Sequence, residues 1–132
     1  MIPVVHFEVP FNDEKRAKDF YKGVFGWDIQ DWPLEDGTTY IGVNTSELGE
    51  DRMPLKKGVI GGGMVPKSVV KNPVLVLDTQ DAEALATKAV AAGAKRISDH
   101  AYLGVGKMIY IEDTEENVVG IWEETKKPES EN

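Results

Sequence analysis

The segment Val4 to Val9 alternates apolar and polar residues and is rich in β-branched and aromatic types, which predicts a first strand with Val5, Phe7 and Val9 on one face and His6 and Glu8 on the other. The rhythm then changes. Ala17, Phe20, Tyr21, Val24 and Phe25 recur at i, i+3, i+4, i+7 and i+8, so a helix follows, capped by Asn12 or Asp13 and ended by Gly26. Trp27 to Trp32, Thr38 to Asn44 and Gly58 to Val65 read as three further strands, with Asp36-Gly37 turning between the first two and Thr45 to Lys57 forming a polar loop.

After a connector from Pro66 to Pro73 the pattern restarts. Val74 to Leu77 is a short strand, and Asp81 to Ala92 a helix whose Ala82, Leu85, Ala86, Ala89 and Val90 repeat the helical spacing before Gly93. Lys95 to Ser98, Lys107 to Glu112 and Val118 to Glu123 complete the set. Gly26 and Gly93 are 67 residues apart and Tyr40 and Met108 68 apart, the near-constant offset of a duplicated unit. The expected fold is α+β: one domain over 1–125 made of two βαβββ modules, about 3–66 and 73–124, forming a curved mixed sheet around a cavity. Residues 126–132 read as a disordered tail.

The period of two assigns the cavity face. With Phe7 and its neighbours turned to the helix, His6 and Glu8 face the cavity, as do Tyr40, Gly42 and Asn44, then Met108, Tyr110 and Glu112, and finally Val118, Gly120 and Trp122. On one face the Cβ atoms of His6 and Glu8 lie about 7 Å apart, close enough to reach one ligand and too far for an automatic mutual hydrogen bond. They are the candidate catalytic pair, readable as a metal half-site, an acid–base pair or an anchor for a polar ligand; the alternative is a structural pair bonded across the sheet or to the other module. Gly61-Gly62-Gly63 marks a bulge or a close approach, either room for a ligand beside Gly62 or tight packing. Ser98 to Lys107, carrying His100 and Tyr102, reads as a lid supplying polar groups or as a solvated loop. Trp27, Trp32 and Trp122 with Tyr40 and Tyr110 suit an aromatic pocket for a flat apolar ligand or, as the alternative, core or interface, with Trp27, directly after the helix cap, reading as core.

Composition narrows the chemistry. Without cysteine there is no disulfide, thiolate ligand or thiol nucleophile. A net charge of -8 repels phosphate backbones, so nucleic acid is not an expected partner. No apolar run reaches the roughly 20 residues that span a bilayer and no signal core opens the chain, so a cytoplasmic, membrane-free location is expected. The glycine run does not lead into a helix, which separates it from a dinucleotide loop.

VVHFEVP, DEKRAKDFYKGVFGW, GVIGGGMVP and LGVGKMIYIEDTEENVVGIWE together resemble the vicinal-oxygen-chelate superfamily, which includes glyoxalase I, extradiol dioxygenases and bleomycin-resistance proteins, over about Val4 to Glu123. The resemblance implies paired βαβββ modules, homodimers, and in metal-using members a divalent ion held by His or Glu from the first and last strand of each module. His6 stands at the first such position, fourteen residues before Phe20 as in glyoxalase I. The others fall in Ile60 to Met64, where Gly61, Gly62 and Gly63 stand, near Asn72 or Pro73, and on Gly120. With His6 the one ligand retained, no cofactor is expected, and a divalent metal is the lesser alternative. The resemblance implies a glyoxalase-like protein acting on or binding a small organic molecule through His6, Glu8, Tyr40, Gly62, Met108, Tyr110, Trp122, His100 and Tyr102. Its alternatives are a bleomycin-resistance-type sequestering protein, a metal-dependent lyase (lactoylglutathione-lyase-like) or dioxygenase, and a structural dimer with a vestigial cavity.

Overall fold

The computed structural model describes residues 1–125; the tail expected at 126–132 lies outside them. The elements run β1 (Val4–Phe11), α1 (Glu14–Phe25), β2 (Asp28–Pro33), β3 (Thr39–Asn44), β4 (Gly62–Pro66), β5 (Val74–Asp78), α2 (Ala82–Ala91), β6 (Lys95–Tyr102), β7 (Gly106–Glu112) and β8 (Val118–Glu124). All eight strands form one mixed sheet in the order β2-β3-β4-β1-β5-β8-β7-β6. Within each module the first and last strands are parallel, β1 with β4 and β5 with β8, and the modules join where β1 and β5 run antiparallel. The sheet curls: the rings of Tyr40 on β3, second in the strand order, and Tyr102 on β6, last in it, lie 5.3 Å apart.

Both helices begin as their caps dictate. The Asp13 carboxylate accepts from the Arg16 N–H at 2.9 Å and Asp81 from the Ala84 N–H at 3.0 Å, and Gly26 closes α1 in the left-handed region at φ 70°. Their packing differs. The small Ala82 and Ala86, both fully buried, let α2 lie close on Ile109, Ile111 and Ile121. Helix α1 sets Ala17 and Tyr21 against the Phe7–Trp27 cluster and the Phe25 ring 5.8 Å from that of Trp27, while Phe20, Val24 and Phe25 are each more than half exposed. The periodicity predicted all five on the sheet, but the apolar stripe of α1 is only partly covered.

Two boundaries move. The strand expected from Gly58 starts at Gly62, because Gly58 turns the chain at φ 80°. The expected loop Ser98 to Lys107 is largely strand: β6 pairs with β7 as far as Tyr102 opposite Gly106, leaving a tight turn with Gly104 at φ 82°. Alternation here is masked by a register shift between Arg96 and Ser98. A ten-residue lid is therefore replaced by a hairpin. Among the described residues no helix is long and apolar enough to cross a membrane.

Candidate ligand-binding site

The hollow of the curled sheet holds a cavity of about 460 Å³, lined by His6, Trp32, Tyr40, Tyr102, Met108 and Trp122 among others. Alternation places most of these side chains. On β3, Ile41 and Val43 pack under α1, so Tyr40 turns inward; on β7, Ile109 and Ile111 meet α2, so Met108 and Tyr110 turn inward. Trp32 is the cross-strand partner of Tyr40 and shares its face.

Beneath the cavity lies Glu8, a charged residue with no exposed surface. Such a group is tolerated only when its oxygens are paired. The Tyr40 hydroxyl donates to one Glu8 oxygen at 3.0 Å, and the Tyr110 hydroxyl donates to the other in a short hydrogen bond. His6 Nε2 lies 2.9 Å from the same Tyr40 oxygen. Because Tyr40 has one proton and gives it to Glu8, His6 donates from Nε2 and keeps Nδ1 as its acceptor. The four residues form one line: His6, Tyr40, Glu8, Tyr110.

Burial sets the protonation states. It holds His6 neutral, lowering its pKa to about 4. It raises Glu8, against the downward pull of the two phenol hydrogen bonds. Tyr40 and Tyr110 are raised by burial and then by the facing Glu8, and burial pushes Tyr102 to about 12, so all three phenols keep their protons at neutral pH.

Glycines make room for these rings. A Cβ on Gly63 would collide with the Tyr40 hydroxyl, and one on Gly42 would stand 2.5 Å from Trp32 Nε1. Gly63→Ala is therefore expected to expel Tyr40 from the Glu8 network and lower stability by about 1–3 kcal/mol in urea denaturation. Unchanged stability would show that Tyr40 has another rotamer available at no cost.

The residues expected at the site divide into three groups. His6, Tyr40, Tyr102, Met108 and Trp122 line the cavity. Glu8 and Tyr110 form its buried support rather than its wall. Gly62 offers only backbone, since its missing side chain would point at the Phe7 ring on the other face, and the inward glycine is Gly63. His100 does not line the cavity: its ring meets Tyr110 edge-on at 5.3 Å, with Ser98 Oγ 3.1 Å from Nε2. Parity placed Val5 toward the helix, yet it lines the cavity, because the β1–β5 register shifts between Val4 and His6. Leu34 and Val105, at the two hairpin turns, have no periodic signal that could have marked them.

The donor set does not fit the family's divalent ion. Opposite His6 on β5 stands Val76, Asn72 and Pro73 precede that strand, and Gly63 and Gly120 carry no side chain. A Cβ on Gly120 would meet Met108 Sδ at 2.9 Å, so the place of the last carboxylate is filled by thioether. Among the described residues no group of three or more His, Cys, Asp or Glu could hold an ion. His6 and Glu8 are already engaged with tyrosines.

Residues 4–46 match the family described as bleomycin resistance protein-like N-terminal. None of the curated proteins compared matches the chain significantly. Among solved structures, a hypothetical protein from Bacillus halodurans C-125 superposes with a TM-score of 0.62 at 12% identity, covering 99% of each chain. Methylmalonyl-CoA epimerase from Mycobacterium tuberculosis gives 0.57 at 12% identity, over 95% of this chain and 88% of that one. A glyoxalase/bleomycin resistance/dioxygenase superfamily member from Vibrio splendidus 12B01 gives 0.50 at 14% identity, over 93% and 99%. With the paired modules, these similarities show that the chain has the fold of these structures, the methylmalonyl-CoA epimerase and the glyoxalase/bleomycin resistance/dioxygenase superfamily member among them, and that its N-terminal third is similar to the bleomycin-resistance-like family.

Proposed function

We propose that the protein binds a flat, largely apolar small molecule in the cavity between its modules and holds it without a resident metal ion. One observation carries the reading: four aromatic side chains, Trp32, Tyr40, Tyr102 and Trp122, line a cavity of ordinary ligand size, while the polar network beneath them is satisfied internally. Such rings offer large contact area at little entropic cost. Glu8 has both oxygens occupied and no surface, so its role is to hold Tyr40, and through Tyr40 the imidazole, in place. His6 Nδ1 remains as an acceptor for a donor group on the ligand. The match of the N-terminal third to the bleomycin-resistance-like family supports binding rather than turnover.

Dansylamide, a small aromatic probe excited by energy transfer from tryptophan, tests this. It is expected to bind saturably, and Trp122→Ala or Tyr102→Ala to weaken it by about tenfold each. Equal affinity in wild type and both variants would remove the cavity as the binding site.

A further inference from the structure

The loop between β3 and β4 encloses a second cavity of about 370 Å³ that shares Val5, Asn44 and Gly61 with the first. It differs in chemistry. Its walls are mainly aliphatic, including Val4, Leu48, Met53 and Ile60, where the first is aromatic. Among the described residues Arg52 is the only lysine or arginine lining either cavity, and it makes no ion pair. Among the described residues no aspartate or glutamate lines either one.

The loop is built to hold this shape. Leu48 pairs with Pro54, the Gly49 N–H donates to the Met53 carbonyl at 2.8 Å, and Thr45 Oγ1 donates to the Ile60 carbonyl at 2.7 Å, tying the two ends together. Arg52 sits at φ 62°, an uncommon place for a residue with a side chain, and its guanidinium lies 5.7 Å from the centre of the Trp32 ring. Trp32 belongs to the first cavity and Arg52 to the second, so this pair stands at the boundary between them. At the shared floor Gly61 adds no side chain, and the nearby Ser46 hydroxyl is buried without a partner among the described residues.

We propose that the two cavities are compartments of one site, and that its ligand is an elongated arylalkyl acid. The aromatic end fills the first compartment. An aliphatic chain crosses Gly61 into the second, and its anionic end meets Arg52, with Ser46 as a further donor. In a chain of net charge -8, an unpaired guanidinium beside aliphatic walls favours a carboxylate over a cation at that end. The inference rests on the proposed binding role of the first cavity.

Two fluorescent probes separate the claims: dansylamide, which has only the aromatic end, and 11-(dansylamino)undecanoic acid, which adds a chain and a carboxylate. The acid is expected to bind at least about tenfold more tightly than dansylamide. Ser46→Phe, which fills the second compartment, and Arg52→Asn, which tolerates the left-handed backbone and removes the charge, are each expected to shrink that ratio, with dansylamide binding reporting that the variant is folded. Equal affinities for the two probes, or a ratio that survives both substitutions, would overturn the two-compartment site while leaving the first cavity as a binding site. Failure of both probes to bind the wild-type protein would remove the binding reading itself.

Discussion

Glu8→Ala is expected to lower folding stability by about 3–5 kcal/mol, the largest effect of any single substitution in the site. Two losses combine. Both phenols lose the carboxylate that accepts from them, Tyr40 keeping only His6 Nε2 as a partner, and a cavity opens where a fully buried side chain stood between β4 and β5. Glu8→Gln separates them: the volume stays, one oxygen still accepts a phenol, and a loss of only about 1–2 kcal/mol is expected. Urea unfolding at pH 7 measures both. If the alanine variant lost less than about 1 kcal/mol, the network would be a surface accident of the fold and not its polar anchor.

The second large effect is on pH dependence. Burial lowers His6 from its ordinary 6.5 to about 4, so between these values the unfolded chain binds a proton that the folded protein refuses. Stability from this group is complete above pH 6.5 and falls as the pH drops toward 4, by up to about 3 kcal/mol. Glu8 acts in the opposite sense. Its raised pKa means the folded protein holds a proton more readily than the unfolded chain, so its contribution improves as pH falls through the folded value and is lost as pH rises through it. The two slopes oppose one another in the acid range. Glu8→Gln, which keeps only the His6 slope, is therefore expected to lose stability more steeply on acidification than wild type, and His6→Gln less steeply. Parallel pH–stability curves for the three proteins would contradict the assignment of both shifts to burial.

Much of the architecture is legible in two periodicities. The restart after Pro73, with Gly93 repeating the place of Gly26, announces the duplicated module, and the alternation of VVHFEV puts His6 and Glu8 on one face, where both meet Tyr40. What alternation cannot express is a shift in register. The irregularity between Val4 and His6 turns Val5 into the cavity, and the one between Arg96 and Ser98 disguises the far half of β6 as a loop. Nor can spacing distinguish a side chain that touches a ligand from one that supports its neighbours. Glu8 and Tyr110 share the inward face with His6 and Met108, but depth decides their role, and depth depends on how far the sheet curls. The second compartment was hidden for a similar reason: Thr45 to Lys57 is polar and aperiodic, and its order comes from its own hydrogen bonds.

Phe20, Val24 and Phe25 show the limit in the other direction. Their spacing is that of a core-facing helix, yet each is more than half exposed, and α1 packs mainly through Ala17 and Tyr21. Helical periodicity identifies an apolar stripe, and only packing tells how much of it one sheet can cover.

The aromatic cavity is proposed to bind its ligand with side chains alone, because among the described residues no group of three or more His, Cys, Asp or Glu could hold an ion beside it. Titration of chelator-treated protein with dansylamide, repeated after adding zinc or manganese, tests it directly. The expected result is saturable binding of one probe per chain with the same affinity in both conditions. Binding that appears only when the divalent ion is restored would contradict it.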